Sequence, residues 1–277
     1  MREDNIIHGG DYALVVLDDK RRWIVKVEPG GQLHTHRGII RHDDLLGKEF
    51  GIIVESTENK EFLVFKPTIP DFALLKLARS TQIVYPKDSA LILVQCGLGP
   101  GSRIVEAGTG SASLTAMLAN SVRPTGFVYS YELRNEFINS ARKNLELCGV
   151  SNWVEIKNKD VTQGIEEKDA DAVILDLATP WLVVSHAREA LKGSGIISSY
   201  SPTIEQTQKT VLALKESLFE DIQTYECLVR KILVREGKTR PETFMVGHTG
   251  YITFARKLLE GSRATAHTIS QPSPPPA

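Results

Sequence analysis

One segment constrains the fold of this chain more than any other: residues 103–115, Arg-Ile-Val-Glu-Ala-Gly-Thr-Gly-Ser-Ala-Ser-Leu-Thr. Its apolar start predicts a buried strand that ends at Glu106, and residues 111–119 predict a helix. Gly108 and Gly110 predict a tight turn between them, since glycine adopts backbone conformations that other residues avoid. A helix N-terminus behind such a turn offers free N–H groups to a ligand. The segment therefore predicts a site for a nucleotide-type cofactor.

The residues around this turn bear on which cofactor it binds. A dinucleotide-binding turn would have a third glycine where this chain has Ser113. S-adenosylmethionine has an ammonium group, a sulfonium and no phosphate, so the acidic Glu106 suits it better. Glu132 follows the next apolar run, 126–131, where its carboxylate can accept both ribose hydroxyls of either cofactor. The turn favours a methyltransferase and leaves a dehydrogenase as the alternative.

The composition limits the size of the core and the class of protein that this chain can be. A chain of 277 residues, 42% of them apolar, predicts a sizeable core in one large domain or two unequal ones. No apolar run approaches the ~20 residues needed to cross a bilayer, and the N-terminal residues are too polar for a secretory signal. Cys96, Cys148 and Cys227 lie far apart and predict free thiols. We therefore expect a cytoplasmic protein that does not associate with a membrane.

The pattern of apolar residues predicts the domain organisation. Short strands over residues 11–66 predict a small β-rich N-terminal domain, 1–70, followed by a connecting helix, 71–80. Alternating strands and helices over 81–258 predict an α/β domain with a doubly wound, Rossmann-like sheet of the class I methyltransferase type. The last residues, 259–277, lack core-forming side chains and predict a disordered tail.

The elements of the larger domain are predicted as follows. Strands are predicted at 103–107, 126–131, 153–157, 171–176 and 194–200. Helices are predicted near 111–121, 134–148, 181–191 and 203–217. The last two apolar runs, 224–234 and 244–256, have no helix between them. They predict an antiparallel hairpin that closes the sheet.

Two aspartates follow predicted strands, where the ligand crevice of a doubly wound sheet is formed. Asp160 could accept a hydrogen bond from the exocyclic amine of adenine, or be a solvated loop residue. Asp176 could be aimed at the substrate, or cap the helix that follows. Trp181, next to Pro180, could pack on a base or in the core.

Tyr85 lies near the predicted domain junction. Because it precedes Pro86, its backbone is expected to be extended. Its ring could pack between the domains or form a wall over the cofactor. Its position in the sequence does not decide between these two roles.

Histidine and basic residues were the remaining candidates. Alternation along a strand would place His34 and His36 on one face, with His42 nearby, but no Cys or acidic pair follows at zinc spacing. A structural or RNA-contacting role is therefore expected for these histidines, and no metal site is predicted. Basic residues cluster in two groups: Arg21, Arg22 and Lys26, and Arg230, Lys231, Arg235, Lys238 and Arg240. These groups are either ordinary solvated faces or a surface that tracks phosphates.

Taken together, these motifs resemble the tRNA (adenine-58-N1)-methyltransferases of bacteria and archaea. The resemblance covers residues 1–257 and is carried by five segments: Gln82–Asp88, Glu106–Ser111, Tyr131–Glu132, Asp176–Trp181 and Val246–Thr249. Two positions depart from the family pattern: Ala112 replaces a frequent glycine, and Ala178 a frequent proline.

The resemblance implies methyl transfer from S-adenosylmethionine to adenine N1 in the tRNA T-loop, in some relatives also at the neighbouring purine, by a homotetramer. It implies two catalytic residues, Asp176 holding the target adenine and Tyr85 shaping its pocket. The cofactor-binding residues would be Gln82, Glu106, Gly108, Gly110, Ser111, Ser113, Leu114, Glu132, Asp160 and Asp176.

Three other functions stay open at this point. A non-catalytic RNA-binding subunit would share the fold, although we expect it to have lost the glycine turn or the acidic ribose ligand. A methyltransferase for another RNA or a protein would keep both. A dehydrogenase would bind NAD instead.

Overall fold

The computed structural model of this protein describes residues 5–78 and 82–259. The chain divides into two compact units, residues 1–79 and 80–277, and each has a sheet of its own. The predicted tail lies outside the described residues from position 260 onward.

The first unit consists mainly of short antiparallel strands. They are β1 (Tyr12–Val16), β2 (Arg22–Lys26), β3 (Gln32–Thr35), β4 (Gly38–Arg41), β5 (Ile52–Glu55) and β6 (Glu61–Phe65). Four form one sheet in the order β2–β1–β6–β5, while β3 and β4 form a separate hairpin. Phe62 and Val64 of β6 alternate with exposed residues and lie in the core, as expected for a sheet buried on one face. The small β-rich domain is confirmed, although the sequence did not predict the β3–β4 hairpin.

A short helix, α1 (Ile69–Leu75), ends the first unit. Thr68 and Asp71 cap it reciprocally, because the backbone N–H of each donates to the side chain of the other, at 2.9 and 3.4 Å. This cap starts the helix two residues before the predicted connecting segment 71–80, and residues 79–81 lie outside the described part of the chain.

The second unit contains one large sheet. Its strands are β7 (Arg103–Ala107), β8 (Phe127–Tyr131), β9 (Val154–Lys157), β10 (Ala170–Leu175), β11 (Leu191–Ser201), β12 (Phe219–Glu226) and β15 (Tyr251–Lys257); β13 (Ile232–Leu233) and β14 (Arg240–Pro241) form a separate short ladder. The order is β12–β15–β11–β10–β7–β8–β9. Strands β7 to β11 are parallel, and β15 is antiparallel to both neighbours. The predicted doubly wound sheet is confirmed.

The helices of this unit are α2 (Pro86–Gln95), α3 (Ser113–Val122), α4 (Asn135–Leu147), α5 (Val184–Ala190) and α6 (Ile204–Glu216). Helix α3 packs on β7 and β8 and is buried on almost every side. The sequence did not predict α2, although Pro86 at its first position is a favourable helix start. The predicted helix 181–191 is instead a 3₁₀ turn, Pro180–Leu182, followed by α5.

The closing hairpin is displaced from its predicted position. Strand β12 already begins at Phe219, and the chain leaves the sheet after Glu226. We call residues 227–250 the arm. Its apolar side chains made it resemble sheet strands, but most of them are exposed; for example, Phe244 is 88% exposed and Val234 77%. Apolar content alone therefore misplaced the hairpin, because it does not show whether a run is buried.

Candidate active site

The candidate active site is a cavity of about 630 Å³ at the carboxyl ends of the parallel strands. It lies where the strand order reverses, because β7 pairs with β8 on one side and β10 on the other. The lining residues follow four strand ends, or precede α2: Gly108, Gly110, Tyr131, Glu132, Leu133, Arg134, Lys159, Asp160, Val161, Thr162, Asp176, Leu177, Ala178, Thr179 and Gln82.

The glycine turn brings two strand ends into close contact. Asp176 donates its backbone N–H to the Ala107 carbonyl at 2.9 Å. Gly108 has a φ of 99°, and a Cβ at this position would lie 2.1 Å from the Asp176 carbonyl oxygen. No other residue fits there. The turn is therefore shaped both by backbone conformation and by the approach of the strand that carries Asp176.

Glu132 is held in place by backbone groups. Its Oε2 accepts a hydrogen bond from the Gly110 N–H at 2.8 Å, and its Oε1 accepts one from the Arg134 N–H at 2.9 Å. Each carboxylate oxygen can accept a second hydrogen bond. A fixed carboxylate at the end of β8 can therefore accept a pair of neighbouring hydroxyls, as the sequence predicts for a ribose.

Glu106 lies behind the turn and does not line the cavity. Its carboxyl group is fully buried, and Oε2 accepts hydrogen bonds from Thr115 Oγ1 and Ser130 Oγ, both at 2.6 Å. Oε1 has no partner among the described residues. Burial raises the pKa of Glu106 to about 7, and the two hydrogen bonds only partly oppose that rise. The predicted contact with a cofactor stays a prediction.

Asp176 lines the cavity directly after β10. Burial raises its pKa to about 7, and the negative charge of Glu132 adds to the rise. The alternative role as a helix cap is not observed, because Thr179 occupies the N-cap position of the following 3₁₀ turn. Asp176 is thus a partly buried carboxyl group that faces a cavity and has a raised pKa, as is typical of functional sites.

Asp160 has a different environment. Its Oδ1 accepts hydrogen bonds from the N–H and the Oγ1 of Thr162, at 2.9 and 2.7 Å. These bonds lower the pKa of Asp160, the side-chain bond most. The residue therefore caps a short 3₁₀ helix, Val161–Gln163, while it lines the cavity as an ionised carboxylate.

Several predicted site residues lie near the cavity without lining it. Ser111, Ser113 and Leu114 are buried around the start of α3, and Ser111 accepts a hydrogen bond from Asn144 through its carbonyl at 2.9 Å. Tyr85 directly precedes α2 and is half-buried. Their predicted roles stay predictions.

Tyr200, near the end of β11, was missed by the sequence reasoning. Ser199 pairs with Leu175, so Tyr200 and Asp176 follow at the same level of neighbouring strands. Burial raises the pKa of Tyr200, and the negative charges of Asp88 and Asp176 raise it further. The signal that singled out Asp176, a polar residue at the end of a predicted strand, would also have found Tyr200.

The remaining candidates lie elsewhere. Trp181 does not line the cavity. The Lys209 ammonium group lies over its ring, 4.9 Å from the ring centroid, as a cation–π contact. Among the described residues, no group of three or more side chains could hold a metal ion.

The two basic groups are alike, because all their side chains are exposed and both groups make contacts within the chain. In the first unit, Arg21 pairs with Asp18, Arg22 with Asp71 and Lys26 with Glu28. In the arm, Arg230 donates to the carbonyl oxygen of Glu242 and Arg240 to that of Pro241, both at 3.2 Å. The predicted phosphate contacts of both groups stay a prediction.

Comparison with known proteins places the chain in a known family. Residues 62–240 match the family model described as "tRNA methyltransferase complex GCD14 subunit", and residues 13–54 match "TrmI-like N-terminal". A Methanocaldococcus jannaschii protein named tRNA (adenine(57)-N(1)/adenine(58)-N(1))-methyltransferase TrmI is 39% identical, with 88% of this chain and 94% of the relative covered.

Two solved structures match most of this chain. One, described as a SAM-dependent O-methyltransferase from Thermotoga maritima, has a TM-score of 0.87 at 36% identity and covers 92% of this chain and 96% of its own. The other, described as the tRNA (m1A58) methyltransferase TrmI from Aquifex aeolicus, has a TM-score of 0.82 at 29% identity and covers 92% and 100%. Within the described residues, no helix has the length and apolar character of a membrane span.

Proposed function

Because this chain belongs to the tRNA methyltransferase family described by the GCD14-subunit model, we propose that it is an S-adenosylmethionine-dependent enzyme that methylates N1 of adenine 58 in tRNA. The observation that carries this function is the carboxyl group of Asp176, which lies partly buried directly after a central strand and faces the cavity. Its neighbour Glu132 is already fixed for a ribose by two backbone N–H groups.

The cavity suits S-adenosylmethionine better than a dinucleotide. The acidic side chains of Glu132, Asp160 and Asp176 line it. Two basic side chains also line it, Arg134 and Lys159, which pair with Glu132 and Glu166, so the acidic groups are in excess. Negative side chains favour a ligand with ammonium and sulfonium groups and disfavour a pyrophosphate. The Oε1 of Glu106, buried without a partner among the described residues, adds a further acceptor behind the turn. When bound, S-adenosylmethionine supplies the electrophilic methyl group.

Asp176 can assist the reaction without acting as a strong base. The lone pair of adenine N1 lies in the plane of the ring, so no proton has to be removed to expose the nucleophile. The purine would become cationic as the new N–C bond forms, while the bond between the methyl group and the sulfonium sulfur breaks and a neutral thioether leaves. A carboxylate beside it stabilises that charge and accepts a hydrogen bond from the exocyclic amine. Alignment of N1 with the methyl group supplies much of the remaining acceleration.

The target base must leave its stack before it can enter the cavity. Extrusion costs a few kcal/mol, and enzymes offset it with a pocket that has aromatic or apolar walls. Our candidates for these walls are Tyr200, at the level of Asp176 on the neighbouring strand, and Tyr85, directly before α2, although neither lines the cavity itself. Trp181 is less suited, because its ring contacts Lys209 instead.

We propose that the chain acts on tRNA in the cytoplasm and that it assembles as a homotetramer. The arm is our candidate contact surface between the subunits. It exposes a set of large apolar side chains: Leu228, Val229, Ile232, Val234, Phe244, Met245 and Val246. Concentrated apolar exposure of this kind is typical of protein–protein interfaces.

The function is tested with labelled S-adenosylmethionine and unmodified tRNA, followed by nucleoside mass spectrometry and mapping of the modified positions. We expect N1-methyladenosine at position 58, and mapping also reports position 57, which the Methanocaldococcus relative's name includes. A tRNA with another base at 58 is the control. If S-adenosylmethionine binds in calorimetry but no N1-methyladenosine forms, the enzyme acts on another substrate. If no binding occurs, the chain is a non-catalytic subunit.

A further inference from the structure

The two ends of the arm meet at a single lysine. The ammonium group of Lys87, in the first turn of α2, donates hydrogen bonds to the carbonyl oxygen of Cys227 at 2.7 Å and to Thr249 Oγ1 at 2.6 Å. These residues are the first and the last but one of the arm. Lys87 also donates to Asp88 Oδ1 at 2.8 Å. All three of its ammonium protons therefore have acceptors.

Asp88 completes this network. Its side chain is fully buried, and its Oδ2 accepts a hydrogen bond from the Thr249 hydroxyl at 2.7 Å. The Thr249 hydroxyl thus accepts from Lys87 and donates to Asp88 at the same time. A buried ion pair adds little net stability, because desolvation offsets most of the Coulombic attraction. A fully satisfied polar network does, however, impose one geometry on the segments that it joins.

The segments joined here are the ones beside the candidate active site. The Tyr200 hydroxyl donates to the Thr249 carbonyl oxygen. A Cβ at Gly250 would lie 2.5 Å from the Tyr200 ring, so the ring packs directly on this backbone. On the other side, the Tyr85 carbonyl accepts hydrogen bonds from the N–H groups of Asp88 and Ser89, at 2.9 and 3.0 Å.

We propose that Lys87, Asp88 and Thr249 form a clasp that positions Tyr200 and Tyr85 beside the target base and fixes both ends of the arm. This inference rests on the proposed function, because it assigns the clasp a part in methyl transfer to tRNA. The clasp residues do not line the cavity and act through the two tyrosines, so they are positioning residues.

The test compares two substitutions at one position. Thr249→Val keeps the volume of the side chain and removes both hydroxyl hydrogen bonds, whereas Thr249→Ser keeps them. We expect Thr249→Val to lower the single-turnover rate at saturating tRNA and S-adenosylmethionine by about tenfold or more, since each tenfold corresponds to about 1.4 kcal/mol of transition-state stabilisation. Thr249→Ser should restore most of that rate. The Kd for S-adenosylmethionine should stay unchanged in both variants.

A matched control tests for a general loss of packing. Thr253 lies on β15, and its hydroxyl bonds to that of Thr224 on β12 at 2.9 Å, away from the clasp. Thr253→Val therefore removes a hydroxyl contact from the strand that begins two residues after Thr249 and should leave the single-turnover rate unchanged. If Thr253→Val and Thr249→Val slow the reaction equally, the clasp has only a structural role and the proposal is wrong.

Trypsin provides a readout that needs no activity. The arm contains cleavage sites after Arg230, Lys231, Arg235 and Lys238. We expect faster cleavage there in Thr249→Val than in the wild type, Thr249→Ser or Thr253→Val. If the wild type methylates tRNA and Thr249→Val has the same single-turnover rate and the same rate of trypsin cleavage, the clasp proposal is wrong and the proposed function stands. A wild type that methylates no tRNA overturns the proposed function instead. Should Thr249→Val not fold, Thr249→Ala carries the same expectations.

Discussion

At the scale of single residues, two carboxyl groups stand out: Glu106, which is fully buried, and Asp176, which is partly buried. Burial raises the pKa of each to about 7. They differ in access, because Asp176 lines the cavity and Glu106 lies behind the glycine turn. A cationic ligand in the cavity favours their ionised forms, so ligand binding and ionisation support each other.

The role of Asp176 in turnover is tested with Asp176→Asn, which keeps the size of the side chain and removes its charge. We expect the single-turnover rate of methylation to fall by about 10²–10³-fold, because a charge that stabilises the developing cation is lost. Binding of S-adenosylmethionine, measured by calorimetry, should persist. An unchanged single-turnover rate would remove Asp176 from the mechanism.

The same substitution has an opposite effect on stability. A carboxyl group with a folded pKa of about 7 binds its proton more tightly in the folded than in the unfolded chain. Its contribution to stability is therefore greatest below about pH 4 and declines as the pH rises to about 7. We expect Asp176→Asn to raise the free energy of unfolding at about pH 8 by up to about 4 kcal/mol and to raise it little near pH 4. Urea unfolding of the ligand-free protein at both pH values measures this, and an equal effect at both contradicts it.

At this scale the sequence predicted which residues end the strands, but not how deep they lie. Glu132, Asp160 and Asp176 were identified because each follows an apolar run, and all three line the cavity. Ser113 and Leu114 are buried around the start of α3, and their predicted contacts with a cofactor stay predictions. Position along a turn shows neither burial nor orientation, since both depend on neighbouring strands that are distant in sequence.

At the scale of elements, the conformation of the segment β7–glycine turn–α3 depends on its contact with the end of β10. The contact between Gly108 and the Asp176 carbonyl joins the turn to the end of β10, which Asp176 directly follows. The sequence predicted β7 and α3 well, because a buried strand and a following helix have distinct periodicities. It could not predict the close approach of β10, which follows from strand order.

Gly108→Ala tests this contact. The new Cβ would lie 2.1 Å from the Asp176 carbonyl oxygen, so a strand must move. We expect a loss of stability of about 3 kcal/mol or more and weaker binding of S-adenosylmethionine, because strain and overpacking add together. Gly149→Ala is the matched control, since Gly149 also has a positive φ, 66°, but a Cβ there meets nothing within 4 Å. It should lose only about 1 kcal/mol in urea unfolding. Equal losses in both variants would mean that the contact with Asp176 does not matter.

At the scale of the whole molecule, the arm is the part that the sequence described least well. Its apolar residues were interpreted as sheet strands, and in the described structure most of them face outward. A sequence pattern cannot distinguish a side chain that is buried within one chain from one that is reserved for a second chain, because both require apolar surface.

The proposed assembly is tested with Phe244→Ser, which removes the most exposed apolar side chain of the arm. We expect light scattering to show that the variant tetramer dissociates at a higher protein concentration than the wild type does. The free energy of unfolding of the isolated chain should stay nearly unchanged. Val94→Ser is the control, because Val94 is 75% exposed on α2 and lies outside the arm. A Phe244→Ser variant that assembles like the wild type would place the interface elsewhere.

The meeting of both ends of the arm at Lys87 has a consequence for how this chain can vary. The arm is a loop whose two ends lie close together. Its length is therefore not tied to the register of the sheet strands. Lengthening such a loop costs little, since the entropy of closure grows only with the logarithm of its length. Insertions and deletions between Cys227 and Thr249 should therefore be tolerated. The arm can diverge in length and contacts while the sheet that holds the cavity is left intact.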